Sequence, residues 1–235
     1  MPTPFQKLLA EALGTAFLLI GVVGSGIMAE TLSQGNTGLA LLCNAAATAA
    51  ILVVIITAFG PISGAHFNPA VTLVFALRSE IDNGLASAYV IVQVVSAILG
   101  VWAAHIMFDQ PILQLSETAR SSNGLWFAEI IATFGLVATI LLTLQANANA
   151  VAAMVGLYIG GAYFFTASTS FANPAVTIAR SLTNTFAGIE PTHVAAYIAM
   201  QIIGALLAAF VCAQLILPRA TPAIAPSTTS AKTDC

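Results

Sequence analysis

The chain has 235 residues, 59% apolar and only 6% charged, against about 25% charged in an ordinary soluble domain. That composition excludes a water-soluble globule and places the chain in a lipid bilayer. A net charge of −3 from so few ionisable groups leaves no basic patch to neutralise phosphates, so nucleic acid is excluded as a partner.

The N-terminus runs from Met1 through Lys7 into a long apolar stretch with Glu11 near its start and no small-residue cleavage site, so it reads as a retained first span. Apolar segments of spanning length follow at roughly 8–28, 38–59, 85–108, 125–144, 148–165 and 194–217, six full spans by the ~20-residue criterion. The fifth carries Gly156 and Gly160 four apart, followed by Gly161, a spacing that permits a close helix crossing.

Between spans two and three, and again between five and six, stands one pentapeptide, Asn-Pro-Ala-Val-Thr, at 68–72 and 173–177. With Pro directly after Asn, the Asn can cap a helix while Pro takes the first helical position, where a missing N–H costs nothing. The first such helix meets a turn signal at Asp82-Asn83-Gly84 after about two to three turns, too short to cross a bilayer. Two half-membrane helices result. Irregular backbone ahead of them is tolerable at membrane depth only where it lines a water-filled path or is buried in protein.

The two halves are related. Ala10-Glu11 with Thr15 recurs as Ala128-Glu129 with Thr133, a shift of 118; the pentapeptides differ by 105; Tyr89 and Gln93 recur as Tyr197 and Gln201, a shift of 108. Three spans per half is an odd number, so the second half is inserted upside down and the half helices meet near the midplane. The fold class is therefore an all-α membrane protein of six transmembrane helices and two re-entrant half helices. A channel domain covers 1–217, with repeats at approximately 5–108 and 123–217. The Pro-, Ala-, Ser- and Thr-rich stretch 218–235 reads as a disordered cytoplasmic tail. With both termini cytoplasmic, Lys7, Arg78, Arg219 and Lys232 lie inside and Arg120 and Arg180 outside, a positive-inside bias.

Cys43, Cys212 and Cys235 have no ligand or disulfide spacing, so neither metal nor cofactor is expected. Without a nucleophile–base set, an enzyme is not expected either. Glu11 and Glu129 are ionisable residues inside spans, which makes them functional suspects.

The motifs Ser63-Gly64-Ala65-His66-Phe67-Asn68-Pro69-Ala70 and Asn173-Pro174-Ala175, set on inverted three-span halves, resemble those of the aquaporins, or major intrinsic proteins, over roughly residues 10–217. The resemblance implies a homotetramer in the inner membrane, each subunit with its own pore. Each motif Asn would use its oxygen on backbone N–H groups and turn its amide hydrogens to the lumen as donors. The resemblance further implies lumen-facing carbonyls from Gly64, Ala65, His66, Ser168 and Thr169. It casts Glu11 and Glu129 as braces accepting loop N–H groups, the alternative being proton coupling. Tyr89, Gln93, Tyr197 and Gln201 read as structural, and His105 and His193 as interfacial.

The narrowest point, carried over by position, consists of Thr48, Gly161, Ser170 and Val176. Water channels and glycerol facilitators have arginine at the last position, and facilitators have Asp where this chain has Thr177. The bacterial aquaglyceroporins of arsenic resistance lack that arginine too. The expected function is a passive channel with a wide, uncharged filter, passing arsenous acid and methylated arsenicals with water and small polyols. The alternatives are a secondary active transporter, an ordinary water or glycerol channel, and a closed structural tetramer. Arg180, four residues after Val176 and on the same helix face, either reaches the outer mouth of the pore or, as the favoured reading, snorkels to the interface.

Overall fold

The computed structural model of the chain describes residues 1–216; the predicted tail, with Arg219, Lys232 and Cys235, lies outside them. The described residues form helices α1 (Pro4–Leu32), α2 (Thr37–Ser63), α3 (Pro69–Leu77), α4 (Asn83–Met107), α5 (Asn123–Asn147), α6 (Val151–Phe165), α7 (Pro174–Arg180) and α8 (Pro191–Leu215), with a 3-10 turn, Ala148–Ala150, between α5 and α6.

Among the described residues, five stretches are long and apolar enough to cross a membrane, and the fourth, Asn123–Phe165, has 43 residues. At ~1.5 Å rise per residue that is about twice the hydrocarbon thickness, so it must fold back. It does so at the 3-10 turn, and the Tyr158 hydroxyl donates to the Ile131 and Ala132 carbonyls of α5 at 3.2 and 3.1 Å. Six passes and two half helices result.

Helices α1, α2, α4 and α5 begin before the predicted apolar windows because polar caps, not hydropathy, set their starts. Thr3 caps α1 in a reciprocal box with Gln6, and Asn36, Asp82 and Ser122 cap α2, α4 and α5 through side-chain oxygens. Such caps satisfy N–H groups that the helix itself cannot.

The halves are built alike. Helix α1 packs on α2 and α4, α5 packs on α6 and α8, and α2 against α6 closes the two halves together. Gly100 of α4 sits where a Cβ would come 2.5 Å from the Ala16 carbonyl oxygen of α1, and Gly204 of α8 faces Ile130 of α5 in the same way. These backbones touch only because no side chain intervenes. Gly156 likewise allows α6 onto Ala49 of α2.

Polarity is turned inward. Glu11, Thr15, Gln93, Glu129, Thr133 and Gln201 have no exposure, while Phe5, Leu9, Leu13 and Phe17 stand exposed along one stripe of α1, as lipid demands. Because each full helix crosses once, the end of α2, the end of α5 and the start of α6 share the face of the N-terminus, here the proximal face. Segments 108–122 and 181–190 lie on the distal face.

Candidate functional site

Both half helices start as the pentapeptide requires. The Asn68 side-chain oxygen accepts the Ala70 N–H at 2.9 Å, and that of Asn173 accepts the Ala175 and Val176 N–H groups at 3.0 and 3.3 Å. The amide nitrogens then cross between halves: Asn68 Nδ2 donates to the Ala172 carbonyl at 2.7 Å and Asn173 Nδ2 to the Phe67 carbonyl at 2.8 Å. One N–H of each amide is thereby used, which leaves one for the lumen.

The loops ahead of the half helices are bent in a way their sequences disguise. Ala65 and Phe67 have φ of 51° and 49°, and Ser170 and Ala172, each 105 residues on, have 52° and 48°. Left-handed non-glycine residues cost about 1–3 kcal/mol each and persist only where the surroundings over-determine them. Here two buried carboxylates do so. Glu11 accepts the His66 and Phe67 N–H groups at 2.9 and 2.7 Å, with Ser63 Oγ at 2.7 Å and Gln93 Nε2 at 2.8 Å. Glu129 accepts the Phe171 and Ala172 N–H groups at 3.0 and 2.9 Å and Gln201 Nε2 at 2.6 Å. Hydrogen bonds to a charged acceptor contribute about 1.5–3 kcal/mol each, enough to offset the strain.

A cavity of about 440 Å³ threads between the halves, from Gly60, Pro61, Ala148 and Asn149 at the proximal face, past Asn68 and Asn173, to Ser170, Val176 and Arg180. Thr48, Ser170 and Val176 stand on its wall, as do Gly64, Ala65 and His66. The Ser170 hydroxyl has no protein partner. His66 is anchored by Nδ1 to Thr72 Oγ1 at 3.1 Å and stacks near Phe75 and Tyr89.

Four placements differ from expectation. Gly161 is off the wall: it is exposed, with Phe165 as the neighbour its Cβ would meet. Tyr163 holds the wall instead, its hydroxyl 3.1 Å from Thr48 Oγ1. The signal was present, since Tyr163 continues the four- and three-residue steps from Gly156 and Gly160 that mark the face of α6 turned to α2. Ser168 and Thr169 also leave the wall. Helix α6 ends at Phe165 and the chain turns there, the Thr169 N–H reaching the Thr166 carbonyl at 3.1 Å, whereas α2 runs directly into its loop. Ser170 and Phe171 are the residues of this loop that bound the cavity.

The third difference is Arg180. It does not snorkel to an interface: it is 3% exposed and lies on the cavity wall. Its Nε donates to the Ala187 carbonyl, and its guanidinium carbon sits 3.4 Å from the centroid of the Phe171 ring. The filter region is therefore uncharged at Thr48, Ser170 and Val176 but not one helical turn further on. Sequence reasoning missed Phe171, the ring that makes this burial possible. His105 is not interfacial either. It is fully buried, its ring nitrogens bound to the Ile112 carbonyl at 3.0 Å and Thr183 Oγ1 at 2.8 Å, and it ties the two distal segments together.

Six membrane passes, two capped half helices meeting head to head and a cavity threading between them define a channel built as an inverted repeat. Comparison with known proteins gives the family: residues 2–171 match the model of the major intrinsic proteins, and the chain belongs to that family, whose members are channels and not enzymes. Aquaglyceroporin AqpS of Rhizobium meliloti (strain 1021) is 51% identical over 213 residues, 91% of each chain. The glycerol uptake facilitator protein-like 6 of Lactiplantibacillus plantarum is 31% identical, over 90% of this chain and 98% of its own. Among solved structures, the aquaglyceroporin from Plasmodium falciparum superposes with a TM-score of 0.63 at 22% identity, covering 91% of this chain and 95% of its own, a likeness of fold.

Proposed function

We propose that the chain is a passive channel for small neutral solutes that carry hydroxyl groups: water, small polyols such as glycerol, and trivalent metalloid hydroxides such as arsenous acid, with methylated arsenicals at the upper limit of size. It works as a homotetramer in the inner membrane with both termini cytoplasmic, so that the distal mouth is the outer one.

The observation that carries this reading is the chemistry of the wall. Beyond the central Asn68 and Asn173, which each have one N–H left for a passing oxygen, stand Thr48, Ser170 and Val176. A solute hydroxyl can accept from an Asn and donate to a carbonyl or to Ser170, so it exchanges its water partners without crossing an unsatisfied stretch. Val176 occupies the position where the resemblance expects arginine, and an aliphatic side chain there neither fixes water in single file nor narrows the path with a guanidinium. The similarity to proteins named aquaglyceroporin and glycerol uptake facilitator supports the polyol class. Bracing fits Glu11 and Glu129 better than proton coupling does, because their oxygens are already occupied by loop and glutamine donors.

The test is a stopped-flow panel on proteoliposomes with water, glycerol, urea and arsenous acid. Passive, non-saturating flux of glycerol and arsenous acid is expected. Uptake that requires a proton gradient, or no flux of any of the four, would overturn the proposal.

A further inference from the structure

The distal end of the cavity carries more positive charge than its neighbours neutralise. Arg180 is 3% exposed, bounds the cavity, and spends only Nε on a protein acceptor, the Ala187 carbonyl. Both terminal nitrogens are left without a partner among the described residues. Arg120, from the 108–122 segment, is half-buried and reaches the same aromatic ring, its guanidinium carbon 5.2 Å from the Phe171 centroid, with Nε donating to the Gly188 carbonyl at 2.8 Å. The two guanidinium carbons are thus no more than 8.6 Å apart, the 5.2 and 3.4 Å legs laid end to end.

Neither arginine has an ion-pair partner among the described residues, where the pairs formed are Arg78 with Glu80 and His193 with Glu190. Glu129 stands behind the loop with its oxygens taken by the Phe171 and Ala172 N–H groups and Gln201. Glu190 turns to Thr192 and His193, and Glu117 is exposed. Two guanidiniums against one committed carboxylate leave a surplus of one positive charge. A buried charge is retained where something supplies its counter-charge. The Phe171 face offers a quadrupole but no charge, and the free edge of a guanidinium presents parallel donors that match two oxygens of one anion.

We propose that the distal end of the pore is an anion-binding site, in which a small, singly charged oxyanion docks on the two terminal nitrogens of Arg180 while Arg120, on the same ring, supplies the second charge. This goes beyond a path for neutral solutes, since it gives one end of that path a ligand of its own and makes the ligand a reversible plug. Phe171 is the platform that aligns the Arg180 fork, and Val176, one turn deeper, leaves the anion room.

Binding is read without reference to flux by phosphorus NMR line broadening of methylphosphonate, using the full-length protein in neutral detergent at constant ionic strength and about pH 6, where the probe is a monoanion. Saturable broadening, displaced by acetate, is expected. The dissociation constant should rise about tenfold or more in Arg180→Ala, several-fold in Arg120→Ala, and by an intermediate factor in Arg180→Lys, which keeps the charge but loses the fork. Should Arg180→Ala fail to fold, Arg120→Ala carries the comparison from a half-buried position. In proteoliposomes methylphosphonate should slow glycerol flux through the native protein and not through the double variant Arg180→Ala,Arg120→Ala. Equal dissociation constants in the native protein and both alanine variants, or no saturable broadening by a native protein that conducts glycerol, would overturn the site. Binding without glycerol flux would instead remove the channel reading and leave the site standing.

Discussion

The two pore loops are the same device built twice, and they differ in only a few side chains. Ser63 and Ser168 each accept a backbone N–H two residues on, from Ala65 at 3.0 Å and from Ser170 at 3.3 Å. A glutamate takes the next N–H pair, a glutamine from the following repeat helix joins it, and an asparagine caps the half helix. What changes is the residue after the second turn of the loop: His66 in the first half, Phe171 in the second. His66 is tied to Thr72, whereas the equivalent Thr177 turns back to the Asn173 carbonyl at 2.8 Å, because a phenyl ring offers it nothing. Phe67 fits into the space left by Gly14, and a Cβ there would collide with its ring; its counterpart Ala172 needs no such space. The parts that hold the loop are duplicated, and the divergence falls on His66 and Phe171, which bound the cavity.

The largest test of that duplication is removal of a brace. Glu11→Ala and Glu129→Ala each strand two buried N–H groups and an amide, at about 1–3 kcal/mol per group. Both should cost most of the folded protein, to a similar extent, measured as yield and melting temperature in detergent. If one were tolerated and the other not, the loops would not be equivalent. Proton-driven uptake that disappears in Glu129→Gln would replace the bracing role with a coupling one.

The next effect separates the two walls chemically. Cys43 is exposed and Cys212 buried, and neither bounds the cavity, so mercury should inhibit the native protein poorly and block Ser170→Cys almost completely. Strong inhibition that vanishes in Cys43→Ser would place the lumen elsewhere. A smaller change is expected from Val176→Arg, which should cut glycerol and arsenous acid flux about tenfold while sparing water, by adding a guanidinium at the narrow region. Unchanged passage of both solutes would remove the wide-filter reading. The mildest variant is His66→Phe, which makes the first loop like the second. It forfeits one hydrogen bond, about 0.5–1.5 kcal/mol, and should lower the melting temperature slightly with flux retained; loss of conduction would show that the imidazole itself serves the solute.

How much of this was legible depended on whether the determinant was local. The half helices were, because an Asn-Pro start is a cap written in adjacent residues. The braces were too, because a carboxylate inside a span must find donors, and its return at the matching place of the second repeat ties it to the loop that both repeats share. The left-handed backbone at Ala65, Phe67, Ser170 and Ala172 was not. Residue preference argues against it, and the carboxylates that enforce it lie dozens of positions away. Gly161 was misplaced for a related reason: counting back from Asn173 fixes a distance along the chain but not the rotation of α6 about its axis, which Gly156 and Gly160 set against α2. Arg180 was read as snorkelling because a lone arginine at a helix end does so by default. Its burial rests on Phe171 and Ala187, on either side of it in sequence and brought together only by the fold.

The crossed amides of Asn68 and Asn173 also bear on how the chain comes to be made. Each loop closes only when the other half offers its carbonyl, and the two partners of the first bond are 104 residues apart. When the third span has left the ribosome, the first half helix has its cap and its brace but no acceptor for the Asn68 amide. It must wait until about half of the second repeat has been made, and contacts of such separation form late. The first half is therefore a competent membrane insert and an unfinished pore, and a chain interrupted before Ala172 holds an open polar loop at membrane depth. The Asn68 amide is satisfied only once the second half has supplied the Ala172 carbonyl.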